Sequence, residues 1–310
     1  MQTRPRATAP AKPFLKWAGG KSQLIEKLSE YFPPELRNGK VTKYAEPFIG
    51  GGALFFHIAQ NYPTIKSFYI SDANAELVIA YRTIQLDAKE LIRTLEHIEG
   101  EYHALSREQQ KEYFYETRND FNQKLAGMDF ENFQPAWIQR TASIIFLNRT
   151  CFNGLFRVNS KGQFNVPFGD YKNPKICDAE NLMAVSNILQ NTQIEKADFT
   201  GCEAFTNSDT FVYFDPPYRP ISQTASFNSY AKDSSGDEEQ KRLAQFFRQL
   251  DQKHALLMLS NSDPKNTNPD DHFFEEAYQG FRIERVKASR MINSKAEKRG
   301  QINEILVLNY

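Results

Sequence analysis

Asp215-Pro216-Pro217-Tyr218 sets a carboxylate, two prolines and an aromatic ring side by side. A carboxylate accepts hydrogen bonds from an amine and a flat ring stacks on a flat partner, so the set suits a pocket for a planar amine. Ahead of it runs Phe211-Val212-Tyr213-Phe214, an aromatic and β-branched stretch that suits a buried strand. The prolines forbid that strand to continue. Asp215 and Tyr218 are therefore expected just beyond a strand's carboxyl end, where open α/β sheets form their ligand crevices. Taken alone, the same residues also describe a strand end and a Pro-Pro turn.

Two upstream clusters bear on which ligand such a pocket would serve. Lys43-Tyr44-Ala45-Glu46-Pro47-Phe48-Ile49-Gly50-Gly51-Gly52, followed by Ala53-Leu54-Phe55-Phe56, reads as strand, glycine turn and helix. Gly50 and Gly52 let the backbone approach a ligand that side chains would exclude. A strand over Ser67–Ser71 then ends at Asp72, about twenty residues past the glycines. At that offset a nucleotide-binding βαβ unit presents an acid to ribose hydroxyls. Phe55 stands where the dinucleotide fingerprint has its third glycine, which favours a nucleoside without a pyrophosphate. The other cluster, Phe14-Leu15-Lys16-Trp17-Ala18-Gly19-Gly20-Lys21-Ser22, invites a phosphate-loop reading. That reading fails, because Leu15 stands where the loop needs its first glycine. What survives is a glycine turn at a helix start, with Lys16, Lys21 and backbone N–H groups facing something anionic. A simple helix entry explains it as well.

The stretch from Asn148 to Lys172 differs in kind. Phe152, Asn153, Leu155, Pro167 and Tyr171 alternate with Arg149, Arg157, Lys161 and Lys172, and only Asp170 opposes those charges. This composition makes a poor core. It fits a hairpin-bearing surface for nucleic acid, with Arg and Asn reading bases, Lys holding the backbone and aromatics stacking or wedging. A solvated basic loop is the plain alternative for the lysines.

The rest of the chain must position these groups. Its 310 residues allow roughly two domains and a sizeable core. Hydrophobic content of 40% with 25% charged residues is ordinary for a globular protein. A net charge of zero excludes nothing, since nucleic-acid binding needs only a local basic face. Cys151, Cys177 and Cys202 are widely spaced and read as reduced thiols, and the five histidines have no metal-ligand spacing. No metal site is expected. With no membrane-length apolar run and no signal-like start, the expected compartment is the cytoplasm. Residues 1–12 read as a lead-in. Helical spacing runs from Glu76 to Tyr115 and again from Trp137 to Leu147. A helix at Leu182–Leu189 leads to a strand over Gln193–Lys196 ending at Asp198-Phe199. That pair suits an adenine ring, though a helix cap explains Asp198 equally well. A loop over Arg219–Gln240 bearing Phe227 and Tyr230 reads as a mobile lid. Then come a helix to Leu250, a strand at Ala255–Ser260 with Asn261 at its end, a strand at Phe281–Val286, a basic Arg290–Arg299 loop and the strand Glu304-Ile305-Leu306-Val307-Leu308. Strands alternating with helices predict an α/β fold with a doubly wound sheet.

With these residues assembled, the chain resembles the Dam-like DNA adenine methyltransferases. The resemblance runs in order through Phe14–Lys21, Glu46–Gly52, Asp72, Arg149–Pro174, Asp215–Tyr218 and Ser260-Asn261. It implies a Rossmann-like sheet that uses S-adenosylmethionine, formed by 1–84 and 178–310. Into that sheet 85–177 inserts a mainly helical target-recognition domain with a β-hairpin. Trp17 and Lys21 would border the donor's methionine end, Gly50 and Gly52 would give backbone approach, and Asp72 would take the ribose. Asp198 and Phe199 would meet the donor's adenine, and Asp215 would lie beside the donor as well. Asp215 and the Pro216 carbonyl would accept the target amine's hydrogens, and Tyr218 would stack on the target base. Lys16 and Arg157 match guanine readers, Leu155 and Pro167 match thymine contacts, and Phe152 matches a wedge into the duplex. Asn153 and Tyr171 join this DNA-binding set. The implied substrate is GATC in double-stranded DNA, the implied state a monomer, and pairing with a restriction endonuclease is compatible with the family. Two other readings stay open: a methyltransferase of another amino group, in RNA or on protein glutamine, and a DNA-binding relative without catalysis.

Overall fold

The computed structural model describes residues 10–123, 129–219, 236–289 and 301–310. Most of the expected lead-in, the loop bearing Phe227 and Tyr230 and the basic Arg290–Arg299 stretch lie outside the described residues. In chain order, α1 (Ile25–Glu30), α2 (Pro34–Arg37), β1 (Lys43–Glu46), α3 (Ala53–Asn61) and β2 (Ser67–Asp72) come first. Three longer helices follow: α4 (Ala75–Ala104), α5 (Arg107–Gln123) and α6 (Pro135–Thr150). Next are α7 (Ala179–Leu189), β3 (Thr192–Lys196), β4 (Thr210–Phe214) and α8 (Asp237–Gln252). The chain closes with β5 (Leu256–Ser262), α9 (Phe273–Ala277), β6 (Arg282–Ser289) and β7 (Gln301–Leu308).

The strands form a seven-stranded sheet in the order β3-β2-β1-β4-β5-β7-β6. β1 lies parallel to β2 and β4, and β4 parallel to β5. β7 runs antiparallel to both β5 and β6. The fold is the expected α/β class with a Rossmann-like sheet, and the sheet is mixed. Strand–helix alternation does not report the direction of β7. Chain length does: a parallel connection needs a dozen or more residues, usually a helix, and less than that separates Ser289 from Gln301.

The chain divides into two compact units, Met1–Ser22 with Gly50–Asn61 and Asn74–Ile194, and Gln23–Ile49 with Tyr62–Ala73 and Glu195–Tyr310. In the second unit β4 has a parallel neighbour on each side, and every one of its residues is buried. That explains its unbroken apolar run, because a central strand covered on both faces has no polar side to show. Val212, Phe214 and Leu257 pack with Phe246 and Phe247 of α8 and with Tyr278 beyond α9. The core thus fixes where β4 stops.

The first unit is built on rings and one buried ion pair. Tyr102 meets Phe146 edge-on at 5.2 Å, and Phe114 contacts Phe168 at 5.6 Å. Arg140, 5% exposed, reaches Glu76 through Nε at 2.8 Å and donates Nη1 to the Phe121 carbonyl at 2.8 Å. One side chain therefore ties α4, α5 and α6. The helical pattern from Glu76 to Tyr115 breaks between α4 and α5. There Leu105 is extended and the Ser106 N–H donates to Gln109 Oε1 at 2.9 Å. Ser106-x-x-Gln109 is a capping-box sequence, a local stop signal inside an apolar stripe. The strand expected to reach Phe199 ends at Lys196, and a short 3-10 turn takes over from Phe199 to Glu203.

Candidate active site

Asp215 follows β4 directly, with Pro216 buried and Tyr218 half-buried. On β5, the buried Ser260 donates its hydroxyl to Asp215 Oδ1 at 3.2 Å and lies 2.7 Å from the Tyr213 hydroxyl. Ser260 has one proton, so while it serves Asp215 the Tyr213 hydroxyl is the donor to it. The relay holds one carboxylate oxygen in place. The Pro-Pro turn is gripped from both ends. Gln240 donates to the Pro217 carbonyl at 3.1 Å, and Asn261 joins Gln240 to the Arg219 N–H, each bond 3.4 Å. Arg219 then bonds Asp237 and Asp271, both at 2.6 Å, over the Phe273 ring at 4.2 Å. Tyr218 donates its hydroxyl to Glu304 Oε1 at 2.7 Å. Sequence reasoning singled out Asp215, Pro216 and Tyr218, and the structure places them together just past β4. It missed the roles of Ser260, Gln240 and Glu304, whose partners are distant in the chain.

The neighbouring parallel strands bring further acids to the same edge of the sheet. Glu46 closes β1 at 3% exposure and accepts from the Tyr44 hydroxyl at 2.7 Å. Burial, reinforced by the Glu46 carboxylate, pushes the Tyr44 phenol well above its ordinary pKa. Asp72 closes β2, half-buried. Asp198 caps the short turn, accepting from the Thr200 N–H at 2.9 Å, and pairs with Arg242 at 2.8 Å. Burial alone would raise its carboxyl, but the bonds from Thr200 and Arg242 outweigh that and hold it below the usual range. Phe199 packs into the core between Phe48 and Phe246, with Arg242 4.1 Å above its ring. The cap weighed for Asp198 is present in the structure.

In the other unit, the Gly50 φ of +47° and Gly52 φ of +70° fall in the left-handed region that favours glycine. A Cβ on Gly50 would lie 3.1 Å from the Trp17 indole, and its carbonyl accepts from Tyr81 at 3.1 Å. Backbone and indole thus form a cradle that a side chain would fill. Lys21, 4% exposed, belongs to the same unit. Within this unit, a buried ammonium and a glycine turn are the donor types that the amino-acid end of S-adenosylmethionine would need.

The basic stretch is organised around the same N-terminal segment. Asn148 accepts from the Lys16 N–H at 2.8 Å and donates to the Lys16 and Gly154 carbonyls at 3.0 and 2.9 Å. Trp17 stacks on Phe156 at 5.1 Å, and Lys16 Nζ lies 5.7 Å from the Tyr171 ring. Gly154 has φ of +64°, and a Cβ there would collide with the Lys16 side chain. The expected hairpin is short, with Val158 bridged to Phe164 and a turn over Asn159–Gln163. Arg157 is exposed and donates Nε to Asn165 Oδ1 at 2.8 Å. Phe152 is 53% exposed, Asn153 and Pro167 are exposed, Leu155 is half-buried, and the Phe152 N–H donates to the Pro167 carbonyl. Asp170 pairs with Arg107 on α5, so it does not neutralise the loop's own cations. Among the described residues Lys161 and Lys172 have no ion-pair partner. No described helix is long and apolar enough to cross a membrane.

All three cysteines are buried, and burial pushes the thiols of Cys151 and Cys177 up to about 11 and of Cys202 up to about 12. A raised thiol holds less reactive thiolate at neutral pH. Iodoacetamide is therefore expected to label the folded protein far more slowly than the denatured chain, with activity retained. Rapid loss of activity with one thiol modified would contradict this placement.

The comparisons with known proteins agree with this chemistry. The chain is 47% identical over 300 residues to the type II methyltransferase M.MjaIII of Methanocaldococcus jannaschii, covering 96% of this chain and 99% of that protein. It is 40% identical to the type II methyltransferase M1.LlaDCHI of Lactococcus lactis subsp. cremoris, covering 96% and 95%. It is 30% identical to the DNA adenine methylase of Escherichia coli, covering 95% and 94%. The family model described as D12 class N6 adenine-specific DNA methyltransferase matches residues 17–292, from the Trp17 cradle past the carboxyl ends of β4 and β5, and the chain belongs to that family.

Proposed function

We propose that this adenine methyltransferase acts on GATC in duplex DNA, taking the target adenine out of the helix and holding it at Asp215, Pro216 and Tyr218. One observation carries the choice of site. Lys16, Leu155, Arg157 and Pro167, which match the family's guanine and thymine contacts, all belong to one compact unit. There Asn148 binds the backbone of both Lys16 and Gly154, and Asn165 braces Arg157. Region 85–177 would read the DNA, with Phe152 as wedge and Asn153 and Tyr171 as further contacts. Segments 1–84 and 178–310 would carry donor binding and chemistry.

The residue types suit the reaction. An exocyclic amine on a purine is a poor nucleophile, because its lone pair is delocalised into the ring. Acceptors on both hydrogens, the Asp215 carboxylate and the Pro216 carbonyl, localise that lone pair and aim it. This is positioning and electrostatics, without a covalent enzyme intermediate. S-adenosylmethionine, the donor the family implies, supplies an electrophilic methyl on a sulfonium. Trp17, Lys21, Gly50 and Gly52 would hold its methionine end, and Asp72 its ribose. Asp198 would accept from its adenine amine, since a carboxylate bonded to Thr200 and Arg242 still has lone pairs to offer. The Phe199 ring is packed in the core, so Phe199 would meet the adenine through its backbone N–H alone. Extruding a base costs about a few kcal/mol, and stacking on Tyr218 at roughly 1–3 kcal/mol offsets much of it.

The test is transfer of labelled methyl to duplexes with and without a single GATC, followed by cutting with nucleases sensitive to adenine methylation. Label confined to adenine of GATC is expected. Label in adenine elsewhere would overturn the site, and label outside adenine would overturn the assignment of the pocket. Arg157→Ala should relax the choice of base at its guanine by about 1–3 kcal/mol while weakening binding little. A loss of affinity that is uniform across sequences would make Arg157 a phosphate contact instead. Similarity to two type II methyltransferases supports a further reading, protection of DNA from a partner restriction endonuclease. Plasmid from cells expressing the chain should then resist an endonuclease that cuts unmethylated GATC.

A further inference from the structure

β7 runs antiparallel to β5, so its first residues lie beside the last residues of β5, with Glu304 in register with Ser262. The parallel strands end at that edge of the sheet. An acid has been carried there at the head of an apolar run: Glu304 is 6% exposed, and Ile305, Leu306, Val307 and Leu308 are 1% exposed or less. A carboxylate this far from solvent needs polar partners, which strand pairing alone does not give its side chain. Its Oε1 accepts the Tyr218 hydroxyl at 2.7 Å, across 86 residues of sequence.

We propose that Glu304 is a positioning residue for methyl transfer, setting the plane and the electron density of the Tyr218 ring. The proposal rests on the reading that Tyr218 stacks on the extruded adenine. A tyrosine ring turns about two side-chain bonds. An anchor at its far end holds the first, and the preference of a phenol O–H for the ring plane biases the second toward the plane that faces the acceptor. The ring face is then already in place when a base arrives, and its ordering is not charged to base binding. The second effect is electronic. As the nitrogen–methyl bond forms and the carbon–sulfur bond breaks, positive charge moves from the sulfonium to the adenine amine. A phenol that donates to a carboxylate is more electron-rich than one in water, and its face favours a positive partner. Glu304 would act through Tyr218 and touch neither base nor donor.

A double-mutant cycle separates this role from a merely structural one. The probes are single-turnover methyl transfer to duplex GATC and the fluorescence of 2-aminopurine at the target adenine, which stacking quenches. Glu304→Leu should slow transfer about tenfold and brighten the bound 2-aminopurine, with DNA affinity changed by less than about twofold. Glu304→Gln, which keeps shape and an acceptor, should restore most of the quenching but only part of the rate. In a Tyr218→Phe background, Glu304→Leu should have no further effect on either signal. Equal effects of Glu304→Leu with and without the Tyr218 hydroxyl would overturn the proposal, as would an unchanged rate in Glu304→Leu. If Tyr218→Ala leaves both the rate and the 2-aminopurine signal untouched, the stacking reading itself fails, a result distinct from failure of the Glu304 cycle alone.

Discussion

Asp215→Ala is expected to reduce methyl transfer by about a thousandfold or more while the protein still folds and binds DNA. Loss of a single preorganised partner at a reacting atom commonly costs about 10²–10³ in rate, and here it would remove one of the two acceptors proposed for the target amine. Stability should change little. Asp215 stands beyond the end of β4, and the strand's own residues, from Thr210 to Phe214, keep their burial and their parallel neighbours. Ser260 would lose one acceptor yet remain 2.7 Å from Tyr213. Asp215→Asn makes the argument sharper. The amide has one acceptor and one donor end, and Ser260 can take the donor end if it gives its own proton to Tyr213. The amide oxygen is then free for the target amine, so Asp215→Asn should retain more activity than Asp215→Ala. Single-turnover rates with saturating donor and DNA decide the matter. Retention of more than a few per cent by the alanine variant would move the acceptor role off Asp215.

Much of this site was legible because strand ends announce themselves locally. The apolar run into Asp215 and the run into Asp72 each stop at a polar residue where the observed strand stops. The glycines before α3 were legible for a similar reason, since Gly50 and Gly52 adopt backbone angles that other residues avoid. What the chain hid is whatever depends on partners far apart in sequence. Glu304 looks like the polar start of an edge strand until β7 is known to run antiparallel beside β5. Asp198 had two local explanations, and the bonds from Thr200 and Arg242 establish the cap, while Phe199 went into the core beside Phe48 and Phe246. The break between α4 and α5 was missed because the apolar stripe continues across it. Only the Ser106–Gln109 capping pair marks the turn.

Arg140→Ala should cost the unit that carries Arg157 and the basic loop about 3–5 kcal/mol of stability. The guanidinium is 4% exposed and the Glu76 carboxylate 12%, so removal of the cation leaves an anion with little access to water. It also empties the space over the Phe121 ring, 4.0 Å from the guanidinium, and strips the Phe121 carbonyl of its donor. Tryptophan fluorescence isolates the effect. The chain has two tryptophans, and both Trp17 and Trp137 belong to this unit, so urea unfolding followed by their emission reports on it selectively. Replacement of both partners, Arg140→Met with Glu76→Leu, should recover a large part of the loss, because a packed apolar pair avoids the desolvation cost altogether. A single-variant loss below about 1 kcal/mol would mean that water reaches Glu76 when Arg140 is gone. The consequence for function follows from Phe121, which meets Phe164 of the hairpin edge-on at 6.5 Å. A loosened Phe121 frees the segment that holds Asn165 and, through it, Arg157. Arg140→Ala should therefore blur discrimination at the recognised sequence under conditions where the fold is still intact, and the double replacement should restore it.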